Sequence, residues 1–200
     1  NLIPKSDKKQ VDLTTRQRDM LTDMFRSQIP PVDKSEFLVS FEALSSDANP
    51  ILITQNEYMR RMKDMAAMQP GMSFYGELPD SYNLIVNTES PVVKRIIADA
   101  DSTLMTKLQP LFDSIDDSNA KSQALRDASK DGKPTDEDQK QISHNDENVA
   151  HLRSEVKKAA TEYASSQPLV KQVLDLALLA NNLLRGADLS AFIRRSVSLL

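Results

Sequence analysis

Histidine and carboxylate are the side chains here that could move a proton or hold a metal, because the chain has no cysteine. Without a thiol there is no disulfide, no thiolate metal site and no thiol nucleophile. The histidines are His144 and His151. They stand seven positions apart on a stretch with helical periodicity, about two turns, whereas a chelating pair on a helix needs a spacing of about four. Asp146 and Glu147 lie close to His144, but adjacent positions on a helix do not face each other. The acidic run Asp136-Glu137-Asp138 reads as a hydrated surface, and no Ser-His-Asp arrangement is suggested. Four glycines, Gly71, Gly76, Gly132 and Gly186, make neither GxGxxG nor GxxxxGK followed by Ser or Thr, so no phosphate-cradling loop is expected. No catalytic residue, metal or cofactor is expected within this chain.

Two apolar patterns carry more information. At about 100° per residue, Tyr58, Met59, Met62, Met65 and Ala66 fall on one half of a helix with Met68 at its edge, and Arg60, Lys63 and Asp64 on the other, with Arg61 at the boundary. That stripe can face a core, or it can be an exposed face whose unbranched, polarizable side chains adapt to many apolar partners. The second pattern is the C-terminal stretch. Leu169, Val170, Val173, Leu174, Ala177, Leu178, Ala180, Asn181 and Leu184 are followed by Leu189, Phe192, Ile193, Ser196, Val197 and Leu200. Two such helices, paired with two from a second copy, would form a four-helix bundle across an isologous interface.

The elements that must position these residues can be read from periodicity and punctuation. A polar leader over 1–11 precedes a helix from Thr14 or Thr15 to about Gln28, stopped by Pro30-Pro31. Phe37, Val39, Phe41 and Ala43 alternate, which predicts a strand over 37–44. Ile51–Thr54 predicts a second strand, and Thr54-Gln55-Asn56-Glu57 has the form of a capping box opening a helix over 55–68. Leu84-Ile85-Val86 marks a third strand over 81–87, and Ser90-Pro91 a helix start. In 99–165, Leu104, Leu108, Leu111, Phe112 and Ile115 form one stripe, and Ile142, Val149, Leu152, Val156, Ala159 and Tyr163 another. The polar stretch 116–139 between them predicts a tip joining two long helices as a hairpin. Gly186 is expected to cap the helix that opens at Pro168, and Asp188 to open the last one.

Composition bounds the partners. Its 200 residues suffice for one domain with an appendage, and the net charge of −4 argues against nucleic acid as the main partner. No apolar run reaches the roughly 18 residues of a membrane span, so no membrane partner is expected. The polar first ten residues lack the character of a secretory signal, and the lack of cysteine is consistent with a cytoplasmic setting.

Several separate segments carry a resemblance. Leu52-Ile53-Thr54-Gln55-Asn56-Glu57-Tyr58-Met59, then Tyr82-Asn83-Leu84-Ile85-Val86-Asn87 leading to Pro91-Val92-Val93-Lys94, then Leu174-Asp175-Leu176-Ala177-Leu178-Leu179 and Phe192-Ile193-Arg194-Arg195 resemble the C-terminal domain of bacterial heat-shock protein 90 chaperones. The order agrees over 36–98 and 167–200, and the leading helix resembles the tail of the family's middle region. The resemblance implies a mixed α/β domain whose two last helices form a dimeric four-helix bundle; with the strands and stripes above, the expected fold is α+β, a small three-stranded sheet with packed helices, a long helical hairpin insertion over 99–165, and that bundle. It implies a leader and middle-region helix over 1–35 and a dimerisation domain over 36–200. The helix with Tyr58, Met62, Met65 and Ala66 matches the family's client-contacting helix. Implied partners are a second copy and unfolded or partly folded client proteins; ATP and Mg would belong to an N-terminal domain outside this chain. Residues 99–165 are much longer than the matching link in the commonest bacterial forms. A competing expectation is therefore an oligomerising scaffold that works through this hairpin.

Overall fold

The computed structural model describes residues 11–32, 35–55, 57–68, 79–128 and 135–198. Helix α1 spans Thr15–Ser27, close to the predicted bounds, and a capping box opens it: the Thr14 side chain accepts from the Gln17 N–H, and the Gln17 side chain accepts from Thr14 N–H. Strand β1 spans Ser35–Glu42, β2 Ile51–Gln55 and β3 Asp80–Asn87, in the order β1-β3-β2. β3 is central, parallel to β1 and antiparallel to β2. Alternation puts Val39, Phe41, Ile51, Ile53, Leu84 and Val86 on the buried face. Against that face lie Met20, Leu21, Met24 and Phe25 of α1, with the Phe25 and Phe41 rings edge to face at 6.4 Å.

Helix α2 spans Glu57–Met68. Because β2 continues through Gln55, α2 begins two residues later than the capping pattern suggested. After β3, Ser90 precedes Pro91 at the first turn of α3, Pro91–Ala100, as expected, but its hydroxyl makes no cap bond. Local order there comes from the buried Asn87. Its amide oxygen accepts from Leu44 and Glu89 N–H groups at 3.1 Å, and its nitrogen donates to Ser45 O at 2.8 Å. One side chain thereby ties the β1–β2 loop to the start of α3.

A π-helical turn, Asp101–Met105, joins α3 to α4, Thr106–Ala128. The reason lies in the spacing of the buried residues. Ala100, Leu104, Leu108 and Phe112 recur every four positions. Each step overshoots a full turn by about 40°, or about 120° over three steps. The extra residue of a π turn takes up about 100° of that, so the stripe stays on one face.

Helix α5 spans Asp136–Ser165 and lies along α4 as the predicted hairpin. The polar stretch 116–139 differs from expectation: it is largely helical, with α4 running to Ala128 and α5 starting at Asp136 under a Thr135–Asp138 capping box. The proximal half of the hairpin belongs to the main core, with Phe112, Ile115, Val156, Ala160 and Ala164 in the cluster that contains α1. Farther out the seam turns polar: Asn148 donates to Ser118 Oγ at 3.1 Å, and Arg126 pairs with Asp146 at 3.2 Å.

Helix α6 spans Pro168–Ala180 and α7 Gly186–Ser198. Gly186 does not cap α6 as expected. α6 ends earlier, with Asn182 at φ 57°, Leu183 N–H bonded to Leu178 O at 2.9 Å and Asn182 N–H to Leu179 O at 3.0 Å. This is a Schellman ending with asparagine in the left-handed position. Gly186, at φ 56°, is the first residue of α7. Asp188 therefore sits inside the first turn of α7 rather than before it. A dimeric bundle lies outside what a single chain displays.

Candidate functional site

The methionine helix follows directly from β2, so its start is fixed by the sheet. Its polar side is held by its own ion pairs: Glu57 with Arg60 and Arg61, each at 2.9 Å, and Arg60 with Asp64 at 3.2 Å. Hydrogen bonds from those two guanidinium groups hold the Glu57 carboxyl down to about 2. Opposite them Tyr58 and Met65 are 69% and 49% exposed, and Met59 and Met62 are half-buried. The side chains of Ala66 and Met68 lie outside the described residues. The main neighbour of α2 is β3.

The C-terminal helices are antiparallel, since Gln172 meets Ser196 while Asp175 meets Arg195. Of the residues expected at a dimer interface, Val170, Val173, Leu174, Ala177, Leu178, Leu184 and Phe192 are buried within the chain itself. Leu169, Leu189 and Ser196 are half-buried, Ala180, Asn181, Ile193 and Val197 are exposed, and Leu200 lies outside the described residues. Leu176, which is not among those expected residues, is 52% exposed. Each helix turns about 100° per residue and the two run in opposite senses, so a residue following a contact position lies on the same flank of both. Leu176 follows Asp175, and Val197 follows Ser196. Ala180 lies one turn beyond Leu176, and Ile193 one turn before Val197. The four exposed apolar residues therefore line one flank of the pair. That flank runs into a cleft of about 470 Å³ between β2 and α6, lined by Leu52, Leu176 and Ala180 among others.

The seam between the helices is polar. Asp175, 1% exposed, accepts from Lys171 at 2.6 Å and from Arg195. Arg195 Nε donates to Gln172 Oε1 at 3.0 Å, and Gln172 Nε2 donates to Ser196 Oγ at 2.7 Å. No short-range pattern announces contacts that span twenty or more positions; the visible signal was an aspartate within an apolar run.

Ionisable groups gather elsewhere too. A groove of about 600 Å³ between α1, α4 and α5 holds Arg16, Asp23, Asp116, Arg153 and Lys157 over Phe112. Arg16 bridges to Asp113 at 2.8 Å and to Asp116. Burial pushes the Asp23 carboxyl up, opposed by Lys157 and Arg26. The charges there alternate in sign and pair across helices, which is the chemistry of a seam. His144 and His151 are both exposed. Among the described residues no group of three or more His, Asp or Glu could hold a metal ion, and no helix is long and apolar enough to cross a membrane.

The mixed fold exposes apolar side chains in two places, on α2 and on the α6/α7 pair. Along its whole length the chain is 36% identical to Chaperone protein HtpG of Bacteroides thetaiotaomicron, 37% to that of Bacteroides fragilis and 40% to that of Porphyromonas gingivalis. The chain belongs to the HtpG family. It spans 30% of the length of these relatives, consistent with a C-terminal domain. No family model matches it, and no solved structure matches it.

Proposed function

We propose that this chain is the dimerisation and client-contact part of an ATP-dependent chaperone that assists protein folding in the cytoplasm. The observation that carries the reading is the flank formed by Leu176, Ala180, Ile193 and Val197. Branched apolar side chains exposed in a row on a helix pair suit a second, identical pair meeting them about a two-fold axis. The Tyr58, Met62 and Met65 face of α2 is the client surface, supported by the adaptability of methionine. ATP and Mg would be held elsewhere in the parent protein. That placement is supported by the sequence, whose glycines make neither phosphate-loop motif.

Sedimentation equilibrium tests the first half. The full chain is expected to be a dimer at micromolar concentration. The double variant Leu176→Glu with Val197→Glu is expected to be a monomer of unchanged helical circular dichroism. A wild-type chain that stays a folded monomer would sink the dimer reading.

A further inference from the structure

Among the described residues, Asp175 is the one charged side chain in the buried set. Taking a carboxylate out of water is expensive unless it is paired, and replacing a buried ion pair by apolar residues is often neutral or stabilising. Adhesion between α6 and α7 therefore does not explain why charge sits there. Geometry does. Helix α6 buries Val170, Val173, Leu174, Asp175, Ala177 and Leu178, whereas α7 buries Phe192. Apolar burial is non-directional and gives α7 little to fix its rotation. The polar contacts are directional: Arg195 reaches Asp175 and Gln172 with two different nitrogens, while Ser196 receives Gln172 at 2.7 Å. The Arg195 guanidinium also lies 6.0 Å from the centre of the Phe192 ring.

We infer that the Asp175–Arg195–Gln172 clamp is the specificity determinant of self-association. It fixes the rotation of α7 on α6 and so places Ile193 and Val197 on the flank that carries Leu176. The inference rests on the dimer reading and deepens it. Its residues are positioning residues, since they act through the exposed flank.

The experiment uses the full chain and its Asp175→Asn, Arg195→Lys and Asp175→Leu/Arg195→Leu variants. The dimer dissociation constant is read by sedimentation equilibrium, and the order of α7 by hydrogen exchange over 186–198. Asp175→Asn is expected to weaken the dimer at least about tenfold and to speed exchange in α7, with β1–β3 and α1 unchanged. Arg195→Lys keeps the charge but loses the planar fork, and is expected to weaken the dimer by a smaller factor. The double leucine variant is expected to restore slow exchange in α7 without restoring the dissociation constant. A dimer unaffected by Asp175→Asn and Arg195→Lys overturns the clamp and leaves the dimer reading intact. Full recovery of dimerisation in the double variant also overturns it, because the clamp would then be adhesive only. A monomeric wild type defeats the dimer reading itself, which separates the two failures. Should Asp175→Asn unfold, Arg195→Lys, which leaves Asp175 paired with Lys171, decides alone.

Discussion

Helix α2 and the α6/α7 pair both present apolar side chains to solvent, yet they are held in different ways. On α2 the exposed residues are Tyr58 and Met65, with Met59 and Met62 half-buried, and the stabilising ion pairs are internal to the helix and exposed. On α6/α7 the large exposed apolar residues are Leu176, Ile193 and Val197, carried by helices joined through a buried carboxylate. Unbranched methionine can repack against many surfaces. Branched leucine, isoleucine and valine on a clamped pair have few rotamers to lose and favour one fixed partner. The contrast teaches that exposure alone does not define a binding surface: the rigidity of its support decides whether it selects one partner or tolerates many.

The most damaging test of this contrast separates core from flank within α6. Leu174 and Leu178 are fully buried, so Leu174→Ala is expected to lower unfolding stability by about 2–5 kcal/mol. Leu176→Ala, two positions away, is expected to change the stability of the isolated subunit by less than about 0.5 kcal/mol while weakening the dimer. Urea unfolding at several protein concentrations checks both, because the dimer contribution grows with concentration. Equal losses from the two variants would erase the distinction between core and flank. A smaller effect is expected on α2. Met65→Glu should weaken capture of an unfolded client several-fold, read by fluorescence anisotropy, while sedimentation still reports the dimer. Unchanged capture would reduce the methionine face to packing.

Much of the scaffold was legible in sequence because its signals are local. The alternation of Val39 and Phe41 and the Ser90-Pro91 helix start each act within a few residues; the Thr14–Gln17 box is just as local, but only the helix bounds were expected there. The interface list was less legible. A helix apolar almost all round says that it is buried on several sides, without saying by what; seven expected interface residues turned out to pack inside the chain, and Leu176 to face out. Asp175 and Arg195 are twenty positions apart, so only tertiary structure unites them. The start of α5 was hidden for another reason: Thr135-Asp136-Glu137-Asp138 reads as a hydrated run, yet it closes a capping box with Asp where Glu or Gln is usual.

The smallest expected effect concerns the ion pairs of α2. The Glu57 carboxyl is lowered from an ordinary 4.5 to about 2 by hydrogen bonds from Arg60 and Arg61. A depressed folded-state value means that the ionised form is favoured in the helix. Its contribution is therefore present above pH 4.5 and lost as pH falls toward 2. Hydrogen exchange of α2 should accelerate across that window in the wild type, and the acceleration should be blunted in Glu57→Gln, which lacks the titrating group at every pH. These pairs are open to solvent, so about 1 M salt should also loosen α2 at neutral pH. The clamp at Asp175 is buried, and the same salt should leave exchange in α7 unchanged. If α7 loosened as much as α2, the two surfaces would share one kind of support, and the division into an adaptable face and a fixed one would fail.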